Sequence, residues 1–67
     1  MISLEELVGS RGFVTITIHG PLRAGEVCLP CNGGTQTFLA YANEEIPQNA
    51  AVFVYGTRPG GVEVTKA

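Results

Sequence analysis

The sequence predicts an all-β domain, closed into a small five-stranded barrel. β-Branched and other apolar residues alternate with polar ones at period two. Gly- and Pro-rich corners cut this alternation into short runs. The whole pattern fits within 67 residues, one domain at most, and closing the sheet would remove the exposed edges that five short strands otherwise leave.

Each element follows from its residues. Residues 1–8 read as a flanking segment with a short helical turn, because Ser3 and Glu6 have capping-box spacing. In the run 13–18, Val14, Ile16 and Ile18 share one face and Thr15 and Thr17 the other. His19-Gly20-Pro21 ends that strand. A second strand covers 25–29, with Val27 and Leu29 inward, Glu26 and Cys28 outward, and Pro30 as its stop. Asn32-Gly33-Gly34 is a turn signal, since Asn-Gly suits positive φ at adjacent positions.

Residues 35–42 form a third strand, and 43–49 a polar connection. Residues 51–55 form a fourth strand, 56–61 a turn, and 62–65 the fifth strand. The expected core is Val14, Ile16, Ile18, Val27, Leu29, Phe38 or Leu39, Val52, Val54, Val62 and Val64. A domain of this size buries only about 60% of its unfolded surface, so its stability margin is narrow.

Composition narrows the function classes. Charged residues are 15% of the chain and the mean hydropathy is +0.22, which leaves apolar surface for contact with another molecule. With a net charge of −2 and four basic residues, Arg11, Arg23, Arg58 and Lys66, spaced apart, nucleic acid is disfavoured as a partner, because phosphate contacts need clustered positive charge. Those four residues read as solubilising or strand-edge charges. No run reaches the roughly 18–20 apolar residues that span a bilayer. The first residues have neither the basic nor the apolar region of a signal peptide. A membrane connection would therefore run through a segment outside this chain; a full-length protein of this sequence would be cytoplasmic.

Cys28-Leu29-Pro30-Cys31 is the motif closest to chemistry. A Cys-x-x-Cys pair can be a redox couple or half a zinc site. Cys28 lies in a strand rather than at a helix N-terminus, His19 is the single histidine, and Asp is absent. The pair thus reads as plain thiols, with a disulfide or a redox or zinc module as alternatives. His19 has no suitably placed nucleophile, because Ser occurs only at Ser3 and Ser10. Glu44-Glu45 reads as solvated charge, and Gly33-Gly34 and Gly60-Gly61 as turn glycines rather than a phosphate loop. No catalytic residue, metal ligand or cofactor is expected.

The chain resembles the C-terminal soluble domain of the NfeD family from Leu7 to about Thr65. The stretches that carry the resemblance are Leu7-Val8-Gly9-Ser10-Arg11-Gly12, similar to an opening Val-Gly-x-x-Gly, then Ala24-Gly25-Glu26-Val27, the run 46–54, and the closing Gly60-Gly61-Val62-Glu63-Val64. The chain departs from the pattern at His19-Gly20-Pro21, where the family has Pro-x-Gly, and at Asn49, which stands for a family glycine. The resemblance implies an OB-like five-stranded barrel without catalytic residues. It also implies a non-enzymatic interaction domain attached to, or beside, a membrane protein complex, with a stomatin-like membrane protein as partner and a link to regulation of membrane proteolysis. Leu39, Tyr41, Phe53 and Tyr55 form the expected contact surface. An oligonucleotide- or oligosaccharide-binding OB module is the alternative, and self-association is left open.

Overall fold

Alternating burial organises the chain into β1 (Arg11–Ile16), β2 (Gly25–Cys31), β3 (Gly34–Tyr41), β4 (Ala51–Arg58) and β5 (Gly61–Lys66), preceded by a 3-10 turn at Leu4–Leu7. These assignments come from a computed structural model that describes residues 4–67. The Ser3 half of the expected capping box lies outside the described residues. The five strands close into a barrel in the order β1-β2-β3-β5-β4, as the sequence predicts. Every neighbouring pair is antiparallel except β3 with β5, which is parallel and joins only through Ala40↔Val62 and Tyr41↔Glu63.

The core forms as the valine pattern predicts along β2, β4 and β5: Val27, Leu29, Val52, Val54, Val62 and Val64 are all buried, together with Val14 and Ile18. Burying one such side chain contributes about 1.5–3 kcal/mol. Ile16 is the exception, being 54% exposed. The register shifts between Val14 and Ile16, where the β2 partners advance only from Val27 to Glu26. Thr15 is therefore the extra residue of a β-bulge, and the residues beyond it turn over. Phe38 packs half-buried against the core while Leu39 points outward.

Two other boundaries differ from expectation. Pro30 does not stop β2; it pairs with Thr35 within the β2–β3 ladder. Because Cys31↔Gly34 closes a two-residue turn, Pro30 faces a non-hydrogen-bonded position, and its missing N–H points away from β3, past the last residue β1 pairs. The expected turn at 56–61 shrinks to Pro59–Gly60, because Gly56–Arg58 belong to β4 and Gly61 to β5.

The ends of the barrel are closed by residues outside the alternating runs. Leu7, on the 3-10 turn, is buried, and the segment after it is stitched to β4 by Gly9 N–H donating to Val54 O (2.8 Å) and Val54 N–H to Ser10 O (2.9 Å). On the β3–β4 connection, Ile46 is buried and exchanges two backbone hydrogen bonds of 2.9 Å with Ile18. Asn49 then takes φ of 76° and donates to Val14 O at 2.7 Å, turning the chain into β4. Asn tolerates this conformation where most side chains do not.

Gly12 and Gly25 are needed for space rather than for φ. A Cβ on Gly12 would lie 2.0 Å from Cys28 O, and one on Gly25 would lie 2.2 Å from Ile16 O. At both places the neighbouring backbone leaves no room for a side chain.

Candidate interaction surface

The outward side chains fall into two groups separated by β5. On β3, Leu39 and Tyr41 both point outward, Leu39 being 47% exposed. On β4, Phe53 is half-buried and Tyr55 exposed. Tyr41 lies opposite Glu63, and Phe53 opposite Thr65. The outward Glu63 and Thr65 of β5 thus stand between the two groups. The four residues expected to act together are placed as two pairs.

The β3 pair is the better built, because Arg58 anchors it. Its guanidinium sits 4.2 Å from the centroid of the Tyr41 ring. Nη2 donates to Glu63 Oε2 at 2.8 Å, Nε donates to the same oxygen at 3.3 Å, and Nη1 donates to Pro21 O at 3.0 Å. One side chain from β4 thereby ties β3, β5 and the β1–β2 loop together. Planar Arg can stack and donate at once, which Lys cannot. With Arg58 and Glu63 each about one-third exposed, solvent screens the ion pair, and the arrangement is worth more for geometry than for charge. From sequence Arg58 is an isolated surface charge, because its partners Pro21, Tyr41 and Glu63 are far apart along the chain and no local signal marks them.

The loop that Arg58 holds ends in Leu22, which is 92% exposed. Backbone bonds from His19 N–H to Arg23 O (3.3 Å) and from Arg23 N–H to Gly20 O (3.4 Å) close the loop on itself. Leu22 is therefore presented by a braced turn. On the sheet, Glu26 of β2 lies between Ile16 on β1 and Leu39 on β3. The result is one face bearing Ile16, Leu39 and Tyr41, with Glu26, Arg58 and Glu63 interspersed, and the loop that carries exposed Leu22 is tied to this face through Pro21. An apolar face broken by charges that are largely paired with each other resembles a protein-docking surface more than a nucleic-acid groove. Sequence reasoning missed Ile16 because of the bulge and Leu22 because a lone apolar loop residue carries no periodicity.

Around the barrel, Phe53 and Tyr55 neighbour Arg11 and Phe13 of β1, since Arg11↔Phe53 and Phe13↔Ala51 are paired. Phe13 is 48% exposed. This second face has larger rings and no comparable clamp.

The remaining candidates lie apart from both faces. Cys28 and Cys31 are free thiols, both half-buried. Cys28 points outward between Phe13 and Thr37, whereas Cys31 sits three residues on, at the turn opposite Gly34. His19 Nδ1 lies 3.3 Å from Glu45 Oε2 with both side chains exposed, and Lys66 Nζ is 3.9 Å from Glu44 Oε1. Among the described residues no three His, Cys, Asp or Glu side chains converge in a way that could hold a metal ion. No helix among them is long and apolar enough to cross a membrane.

A family model for the NfeD C-terminal domain matches residues 11–65. A solved structure, the solution structure of the soluble domain of the NfeD protein YuaF from Bacillus subtilis, superposes with a TM-score of 0.79 at 28% identity. That likeness covers 94% of this chain and 76% of the other. No curated protein matches the chain significantly.

Proposed function

Because the chain belongs to the NfeD C-terminal domain family, we propose that it is the non-enzymatic protein-interaction domain of a membrane-associated NfeD-like protein. Its partner in this reading is a stomatin-like membrane protein, within a complex that regulates membrane proteolysis. The observation that carries the interaction role is the face built on the Arg58 clamp. Leu22, Leu39 and Ile16 remain exposed there, although twelve other apolar residues of the chain fill a closed core. A rigid barrel keeping this many aliphatic side chains in water has its docking geometry already ordered, which lowers the entropy cost of binding.

The same face supports contact with protein over oligonucleotide. Arg58 is engaged by Glu63 and Tyr41, and Lys66 lies beside Glu44, so these two basic side chains are held by protein groups rather than offered to phosphates. Half-buried Cys28 and Cys31 gather no further His, Cys, Asp or Glu into a metal-holding group among the described residues, so nothing there favours the redox or zinc alternative.

The test is capture from detergent-solubilised membranes with the chain immobilised. The wild type should retain a stomatin-like protein. Leu22→Asp and Leu39→Asp, both on exposed positions, should cut that recovery at least tenfold while the unfolding midpoint holds. Equal recovery by both variants, or no stomatin-like protein with wild type, overturns the reading. A salt-dependent shift of single-stranded oligonucleotide at low ionic strength would replace it with the nucleic-acid alternative.

A further inference from the structure

We propose that the free edge of β3 pairs with the same edge of a second copy, so that the chain forms a two-fold symmetric dimer through a continuous sheet. On one side β3 pairs with β2 along its whole length, from Gly34↔Cys31 to Ala40↔Gly25. On its other side β5 reaches only Ala40 and Tyr41. Gly34 to Phe38 therefore have an unpaired flank among the described residues. Gly34, Thr35, Gln36 and Thr37 are all exposed, so neither face of this part of the strand is covered and the β2–β3 tip stands clear of the barrel.

The turn fixes which groups point outward from the sheet. Asn32 and Gly33 have φ of 50° and 83°, and Cys31↔Gly34 closes the two-residue hairpin. The closing pair is hydrogen-bonded, so hydrogen-bonded and non-hydrogen-bonded pairs alternate from there. Gly34, Gln36 and Phe38 direct their N–H and C=O groups to β2. Thr35 and Thr37 direct theirs to the open side.

Three features select a second copy as the occupant. The segment is self-complementary about Gln36. An antiparallel partner centred there places Thr35 opposite Thr37 of the other copy, each N–H donating to the other's C=O, with threonines facing across the strands, a favourable pair. There is no charged residue from Val27 to Asn43, so two negatively charged chains meet without repulsion at this point. The arm also lacks protection on this flank alone: β2 carries Pro30 at its outer edge, whereas β3 carries no proline, charge or bulge of the kind that blunts an edge. A foreign strand would draw its specificity from side-chain pockets beside the edge, and none is present among the described residues.

The contact is small, and a small interface is a weak one. Sedimentation velocity from micromolar to about 1 mM chain, the weak end of specific affinities, should show a reversible monomer–dimer equilibrium. Over the same range the Thr35 and Thr37 amides should gain protection from hydrogen exchange. Thr37→Pro removes a donor on the open side and leaves the β2 ladder intact, so it should abolish the dimer with the unfolding midpoint kept. Gln36→Lys places like charges opposite each other at the two-fold axis. It should weaken the dimer at least tenfold at low salt, recover with salt, and form a mixed dimer with Gln36→Glu. This second pair keeps the test open if Thr37→Pro fails to fold. A wild type that stays monomeric throughout overturns the proposal, as does a dimer indifferent to Gln36→Lys. So does concentration-independent protection of Thr35 and Thr37, which would mean that another part of the same chain covers the edge.

Discussion

The β2–β3 and β4–β5 hairpins are built by the same local rules, yet one becomes wall and the other becomes edge. Each turns on two residues with a glycine at positive φ, 83° at Gly33 and 85° at Gly60. Each is antiparallel along nearly its whole length. In β4–β5 both outer flanks are occupied, β4 by β1 and β5 by β3, and Val52, Val54, Val62 and Val64 are buried. In β2–β3 the stagger of the barrel carries the tip past the end of β5, and burial falls away from Phe38 towards the turn. Hairpin formation is decided by turn chemistry and alternation. What a hairpin does afterwards is decided by where the barrel's stagger leaves it.

That contrast predicts where substitutions hurt. The largest losses should come where strands cross without room. Gly25→Ala drives a Cβ to 2.2 Å from Ile16 O and 2.6 Å from Thr17 O. Backbone cannot yield as a flexible side chain can, so the cost is about 3 kcal/mol or more, a large part of a small domain's stability. Gly34→Ala, at the tip of the free arm, meets its nearest atom at 4.0 Å and should stay within about 0.5 kcal/mol. Urea unfolding of the two proteins, side by side, measures the difference. Comparable losses at both positions would mean that the arm is as constrained as the crossing.

Next in size is the isoleucine comparison. Ile46 is fully buried at the barrel end, and Ile46→Ala should cost about 2–4 kcal/mol through lost transfer energy and the cavity left behind. Ile16→Ala should cost no more than about 0.5 kcal/mol, because the bulge at Thr15 has already put that side chain in water. Strict alternation through β1 predicts the opposite ranking at Ile16. The measurement therefore tests the bulge itself.

Smaller again is the clamp. Arg58→Ala removes the stacking on Tyr41 and the hydrogen bonds to Glu63 and Pro21, a loss of about 1 kcal/mol after solvent screening. Its sharper signature is local: the loop bearing Leu22 loses a brace, and exchange at the Arg23 amide should quicken more than exchange in β4. Arg58→Lys should behave like the alanine variant in the loop, since Lys cannot stack and fork simultaneously.

These rankings show which parts of the molecule the residue order makes legible. The valines of β2, β4 and β5 report their own direction, because nothing interrupts their period of two, and Asn32–Gly33 announces its turn by composition. Ile16 misleads since a bulge leaves no mark in a run of β-branched residues. Pro30 misleads since its tolerance depends on which flank its missing N–H faces, a property of pairing. Ile46 closes a barrel end from a polar connection, where a single apolar residue has no pattern to join, and Leu7 does so from a segment too short to display a period. Of the candidate surface, Leu39 and Tyr41 could be read from alternation along β3. Leu22 and the Arg58 clamp could not, because Arg58 reaches partners five, seventeen and thirty-seven residues away, at Glu63, Tyr41 and Pro21.

The smallest expected effect probes the arm residue by residue. At dilute, monomeric concentrations the β2–β3 ladder protects the amides of Gln36 and Phe38, which face β2, and leaves those of Thr35 and Thr37 to solvent. Hydrogen exchange along 35–38 should therefore alternate fast and slow, whereas Val52, Val54 and Val64, inside a sheet occupied on both flanks, should exchange only with global unfolding. Thr35→Ala should change stability by no more than about 0.5 kcal/mol, because its exposed side chain contributes almost nothing to a monomer. A uniform exchange rate along the arm would mean that its tip frays as a unit. The edge would then be a transient feature of the barrel rather than a formed strand awaiting a neighbour.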